Sequence, residues 1–112
     1  MQIPLQVLVV DDDVDAAESM AELLKMDGHG AEVVHTGRDA LEAARRIQPD
    51  LILMDIGLPG MDGNQVATLL RSDASLDQTV LAALTGWGRD EDRRASLEAG
   101  FDIHLNKPVR LG

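Results

Sequence analysis

The chain has no cysteine, no tyrosine and almost no aromatic residues; Trp87 and Phe101 are the whole aromatic complement of 112 residues. Without cysteine there is no disulfide, no thiolate nucleophile and no cysteine-based zinc site. Without large aromatic side chains the core must be aliphatic, built from Leu, Val, Ile, Ala and Met. Positive charge is scarce as well. Ten Lys and Arg stand against twenty Asp and Glu, a formal net charge of −10. That balance speaks against sequence-independent nucleic-acid binding and against anionic membrane surfaces, both of which need basic patches. No run approaches the roughly 20 apolar residues of a membrane span. The N-terminus also lacks the basic-then-apolar pattern of a secretory signal. These absences predict a cytoplasmic chain, with no direct contact to nucleic acid or membrane.

What is present is ordinary in amount and regular in order. The hydrophobic share of 45% suits a globular protein, and 112 residues make one domain with one core. Short apolar runs alternate with amphipathic stretches. Strands are predicted at Gln6–Val10, Ala31–His35, Leu51–Met54, Val80–Leu84 and Ile103–Asn106. Between them fall helical stretches. Asp15–Asp27 carries Ala17, Met20, Ala21 and Leu24 on one face, with Gly28 or Gly30 as its stop. Arg38–Ile47 carries Ala40, Leu41, Ala44 and Ile47, with Thr36 as N-cap and Pro49 beyond its end. Asn64–Ser72 carries Val66, Leu69 and Leu70, and Asp90–Ala99 is polar and closed by Gly100. The Gly- and Pro-rich segment Ile56–Asp62 reads as a loop. Strands separated by helices of this length predict an α/β fold with a parallel sheet, right-handed crossovers and helices on both faces.

The strand ends carry the chemistry. The first run ends on Asp11-Asp12-Asp13, the third on Asp55, the fourth on Thr85, and the fifth on Lys107-Pro108. In open parallel sheets ligands bind beyond the carboxyl ends of the strands. If the four strands are neighbours, acids, a hydroxyl and one lysine gather at one edge. Adjacent carboxylates repel unless a cation relieves them, and hard cations such as Mg²⁺ favour a few carboxylates plus water. Each residue also has a plainer reading: Asp13 as the cap of the following helix, Asp55 as a solvated turn residue, Lys107 as an exposed strand-end lysine, Thr85 as a β-former.

The motifs Val9-Val10-Asp11-Asp12-Asp13, Met54-Asp55-Ile56-Gly57-Leu58-Pro59-Gly60-Met61-Asp62-Gly63, Leu84-Thr85-Gly86 and Lys107-Pro108, in that order and spacing, resemble the receiver domain of two-component response regulators and hybrid histidine kinases. The resemblance covers essentially the whole chain, residues 1–112, as one phosphoacceptor domain. It implies a doubly wound, flavodoxin-like five-stranded parallel sheet of order 2-1-3-4-5. It implies that Asp55 accepts a phosphoryl group from a phosphohistidine. Asp12, Asp55 and the main-chain carbonyl of Gly57 would bind Mg²⁺ (or Mn²⁺), with Asp11 acting mainly through water. Lys107 would meet the phosphoryl oxygens across a cis Lys107–Pro108 bond, and Thr85 and His104 would act as switch residues. The implied partners are a histidine kinase or a histidine phosphotransfer domain, and a downstream effector domain or protein; a dimer is a further expectation. Such a domain is a phosphoacceptor that assists its own phosphorylation and dephosphorylation, not an enzyme in its own right.

Three positions depart from the family pattern. The fifth-strand switch position, usually Tyr or Phe, is His104, whose plain reading is an edge-strand surface residue. Gly57 offers no side chain to shield the phosphoryl group, whereas Trp87, two past Thr85, is bulky. The family's last helix is absent, which predicts C-terminal truncation and one sheet face short of cover. Competing readings are weaker. A calcium loop over Asp11, Asp13, Asp15 and Glu22 has Ala16 where the turn glycine belongs. An aspartate-nucleophile phosphatase lacks room for a cap domain. A receiver-shaped scaffold that is not phosphorylated would typically have lost an acid or the lysine, and Asp11, Asp12, Asp55, Thr85 and Lys107 are all here.

Overall fold

The structure is a computed structural model that describes residues 3–55, 63–85 and 99–106, with backbone alone for Thr85 and Asn106. Its elements run β1 (Gln6–Val10), α1 (Val14–Met26), β2 (Gly30–Val34), α2 (Gly37–Ile47), β3 (Leu51–Asp55), α3 (Gly63–Arg71), a 3₁₀ turn (Ala74–Leu76), β4 (Val80–Thr85) and β5 (Ile103–Asn106). All neighbouring strands are parallel and the sheet order is β2-β1-β3-β4-β5. This is the flavodoxin-like α/β arrangement expected above. The predicted Asp90–Ala99 helix, the Ile56–Asp62 loop, Trp87 and the Lys107–Pro108 bond lie outside the described residues.

The central strands are apolar on both faces because both faces are covered, as parallel sheets require. Side chains alternate along each strand. Leu8, Val10, Ile52, Met54, Leu81 and Ala83 pack with Ala40, Ala43 and Ala44 of α2 and Val66, Ala67 and Leu70 of α3, and the single phenylalanine, Phe101, joins them. Val7, Val9, Leu53, Ala82 and Leu84 pack on the other face, against Ala17 and Leu24 of α1. Alanines dominate the helix faces, so the helices sit close to the sheet and the bulk of the core comes from the strands.

The helix ends follow local chemistry. Asp13 caps α1, its side chain accepting from the Ala16 amide at 3.1 Å. Thr36 caps α2, its hydroxyl accepting from the Asp39 amide at 3.1 Å. Of the two glycines that could stop α1, Gly28 does so at φ +93°, while Gly30 opens β2. α2 ends at Ile47 as expected, and Gln48 takes the left-handed conformation at φ 49° before Pro49. In α3 the expected stripe is corrected. Ala67 is buried with Val66 and Leu70, whereas Leu69 is 43% exposed. A helix of nine residues buries only a narrow face, and Leu69 falls outside it.

Arg71 gathers the amino-terminal end of the sheet. Its guanidinium donates to the carbonyls of Gly100 (3.1 Å), Leu76 (3.1 Å) and Thr79 (2.7 Å), and pairs with Asp102. The Asp102 carboxylate also accepts from the Leu81 amide at 2.9 Å. Gly100 sits at φ +116°, and a Cβ there would lie 2.6 Å from Arg71 Cγ, so any side chain would strain the backbone and displace Arg71.

Ile52 is fully buried beneath α2 and α3; Ile52→Ala is expected to cost about 3 kcal/mol in chemical denaturation. Asp73 caps the 3₁₀ turn, and its carboxyl is held below the ordinary range first by the Ser75 hydroxyl, then by the Ser75 amide, with Arg45 adding to both. A depressed folded-state pKa contributes stability above the unfolded-state value, and that stability fades as pH falls through the folded value. The melting temperature of Asp73→Ala is therefore expected to trail wild type at pH 7, with the gap narrowing once the pH drops below about 4.

Candidate functional site

The strand order places the site. From β1 the chain moves outward to β2, then crosses back to place β3 on the opposite side of β1. The crevice beyond the carboxyl ends of β1 and β3 is thus the topological switch point of this sheet, where open α/β folds bind ligands. β1 and β3 pair in register, with Val10 opposite Met54. The next residue on each strand is an acid, Asp11 and Asp55. Asp12 follows where the chain turns towards α1.

The three carboxylates converge. Asp11, Asp12 and Asp55 each offer an oxygen, and these atoms all lie within 4.8 Å of one another. Asp11 is buried at 3% exposure, Asp55 is half-buried and Asp12 is exposed. Asp11 is tightly held. Its amide donates to the Val34 carbonyl at 3.2 Å, its Oδ1 accepts from the Asp13 amide at 3.0 Å, and its carbonyl is 2.9 Å from Nδ1 of His35. Asp13 turns away to cap α1. Of three consecutive acids, two face the crevice and one serves the helix.

The other expected residues divide. Thr85 is the last residue of β4 and pairs with Asn106, the last residue of β5. Lys107 and Gly57 lie outside the described residues. His104 pairs with Ala83, whose side chain belongs to the α2–α3 core, so it shares that face of β5. It is half-buried with both ring nitrogens inside the protein, which corrects the plain reading of a surface residue on an edge strand. In the sequence His35 is simply the last residue of an apolar run, with nothing local to tie it to the acids. The one available signal was that the second strand ends beside the first.

A family model described as the response regulator receiver domain matches residues 7–112. The DNA-binding response regulator MtrA of Mycolicibacterium paratuberculosis is 38% identical over 105 residues, covering 94% of this chain and 45% of the relative. This chain thus spans under half the length of that protein. Among solved structures, the receiver domain of the sensor histidine kinase PA1611 from Pseudomonas aeruginosa, which holds a magnesium ion in its active-site cleft, superposes with a TM-score of 0.86 at 29% identity. It covers 96% of this chain and 88% of that one. A co-crystal structure of the Saccharomyces cerevisiae phosphotransfer protein Ypd1 with the receiver domain of Ssk1 matches with a TM-score of 0.86 at 25% identity, covering 96% and 81%.

The chain belongs to the response regulator receiver domain family, the phosphorelay signalling modules of two-component systems.

Like charges held this close oppose folding in the absence of a counter-ion. Neutralising the exposed member, Asp12→Asn, is expected to raise the melting temperature of the metal-free protein by about 2–4 °C at low salt, with the gain shrinking at high salt. Differential scanning fluorimetry in EDTA measures this.

Proposed function

We propose that residues 1–112 form one receiver domain that takes a phosphoryl group onto Asp55 in a Mg²⁺-dependent reaction. The observation that carries this reading is the convergence of Asp11, Asp12 and Asp55 within 4.8 Å at the β1/β3 switch point. The donor set is all hard oxygen. Such a set suits Mg²⁺, which favours one or two carboxylates together with water. Asp12 and Asp55 would be direct ligands with the Gly57 carbonyl, and Asp11 would act through water. Mn²⁺ suits the same oxygens. When bound, the ion neutralises equatorial phosphoryl oxygens and lets the neighbouring carboxylates stay ionised.

The residues then have separate tasks. A carboxylate oxygen of Asp55 attacks phosphorus in line; the P–O bond forms as the P–N bond to the donor imidazole breaks, and the imidazole leaves with the electron pair. Anchoring of Asp55 in β3, opposite Leu84, keeps its backbone fixed while a donor docks. Lys107, one residue beyond β5, supplies a point charge to the phosphoryl oxygens. Thr85 hydrogen-bonds the phosphoryl group, and His104 on the adjacent strand responds as the second switch residue. The added charge shifts a two-state equilibrium, which is the signal.

The donor is a histidine kinase or a histidine phosphotransfer domain, a reading supported by the Ypd1–Ssk1 neighbour. The output is an effector domain or protein in the cytoplasm, where such kinases present their phosphohistidines. The name of the mycobacterial relative supports a DNA-binding effector for the whole protein, separate from this acidic domain. Among the described residues no helix is long and apolar enough to cross a membrane.

Incubation with Mg²⁺ and acetyl phosphate is expected to give a phosphoryl mass shift in wild type and none in Asp55→Asn. Asp12→Asn is expected to slow the reaction more than about tenfold. Equal labelling of wild type and Asp55→Asn would overturn the assignment of the acceptor; no labelling of wild type would favour the unphosphorylated scaffold. His104→Ala is expected to leave the mass shift intact while weakening the amide chemical-shift changes that beryllofluoride produces along β4 and β5. Loss of both together would contradict a switch role.

A further inference from the structure

The His35 contact is not explained by the roles above. His35 follows β2, directly before the Thr36 cap of α2, and its Nδ1 lies 2.9 Å from the carbonyl oxygen of Asp11, 24 residues away in sequence. A carbonyl can only accept, so Nδ1 carries the hydrogen and donates. The bond exists in the neutral Nδ1–H tautomer and in the cation alike, so it does not depend on the charge of the ring.

Its position is specific. The β1–β2 pairing ends at Val10 and Val34, and the Asp11 amide makes the last bond of that ladder to the Val34 carbonyl. In a continuing parallel ladder the Asp11 carbonyl would receive the next amide of β2. β2 stops instead, because Thr36 turns to cap α2. The imidazole supplies the donor at that point. The carbonyl of Asp11 and the amide of Asp12 belong to one planar peptide unit. Fixing its oxygen fixes the plane, and hence the directions in which the Asp11 and Asp12 side chains leave the backbone. With Asp13 bonded to Asp11 Oδ1, the first acid is held through its amide, its carbonyl and its carboxylate.

We propose that His35 is a positioning residue for the acidic pocket, holding the Asp11–Asp12 peptide so that both carboxylates are directed at the cation before it binds. This rests on the Mg²⁺ reading above. Pre-orientation of ligands by outer hydrogen bonds is worth about 10–100-fold in metal affinity where it has been removed, and a main-chain anchor belongs at the lower end.

Mg²⁺ titrations followed by amide chemical shifts of residues 11–13 test this in wild type, His35→Leu, His35→Asn and Asp12→Asn. His35→Leu is expected to bind Mg²⁺ about tenfold more weakly. His35→Asn, whose Nδ2 can donate from nearly the same place as Nδ1, is expected to recover most of that affinity. At saturating Mg²⁺ the Leu variant is expected to accept phosphate from acetyl phosphate at close to the wild-type rate, because the loss lies in assembling the pocket. Wild-type affinity in His35→Leu, with affinity lost in Asp12→Asn, would overturn the role of His35 alone. Identical titrations of wild type and Asp12→Asn would overturn the Mg²⁺ reading and this one with it. Should His35→Leu fail to fold, the imidazole nitrogen spectrum of wild type decides: an Nδ1–H ring supports the anchor, and an Nε2–H ring sinks it.

Discussion

Parallel pairing of β1 with β3 is the constraint on which the rest of this molecule depends. It sets Val10 level with Met54 and so brings the next residues, Asp11 and Asp55, to the same edge. Neither acid would choose the other's company. The registered apolar rows behind them, buried on both sides, hold the two carboxylates together against their mutual repulsion. A one-residue slip would exchange the buried faces of the strands, so the pairing that fixes the core also fixes the site.

Stability and chemistry occupy opposite ends of the sheet. At the amino-terminal end, charge is paired. Arg71 meets Asp102 and three carbonyls, and the Asp50 carboxylate accepts from the Gln6 amide at 2.8 Å. At the carboxyl end, like charges are collected instead. Asp11, Asp12 and Asp55 stand together there, an arrangement whose mutual repulsion a cation would relieve.

Within the acidic run, neighbouring residues do different work because the backbone turns sharply between them. Asp13 joins the helix, its carboxylate satisfying the Ala16 amide. Asp11 stays with the sheet, and Asp12 lies between, exposed. The inward placement of His104 has a similar origin. It shares the face of Ala83, and that face is core. Both its ring nitrogens lie inside the protein.

Much of this was legible in one dimension. The apolar runs marked all five strands: β1, β3 and β4 are buried on both faces and need few polar residues, while the edge strands β2 and β5 are only partly buried. Asp13 and Thr36 marked helix starts, since an N-cap is a contact between residues three apart. The four strand-end motifs identified the class of domain. Contacts set by packing were less legible: which glycine ended α1, that Gln48 would take a left-handed turn, that Leu69 would face outward and Ala67 inward. The 3₁₀ turn at Ala74–Leu76, capped by Asp73, went unmarked because three residues carry no periodicity. The sequence by itself determined which residues are acids and that each stands at the end of an apolar run. Only the tertiary structure decided that Asp11, Asp12 and Asp55 meet, and that His35 reaches the Asp11 carbonyl from 24 residues away. Strand order and register join positions that no local pattern relates.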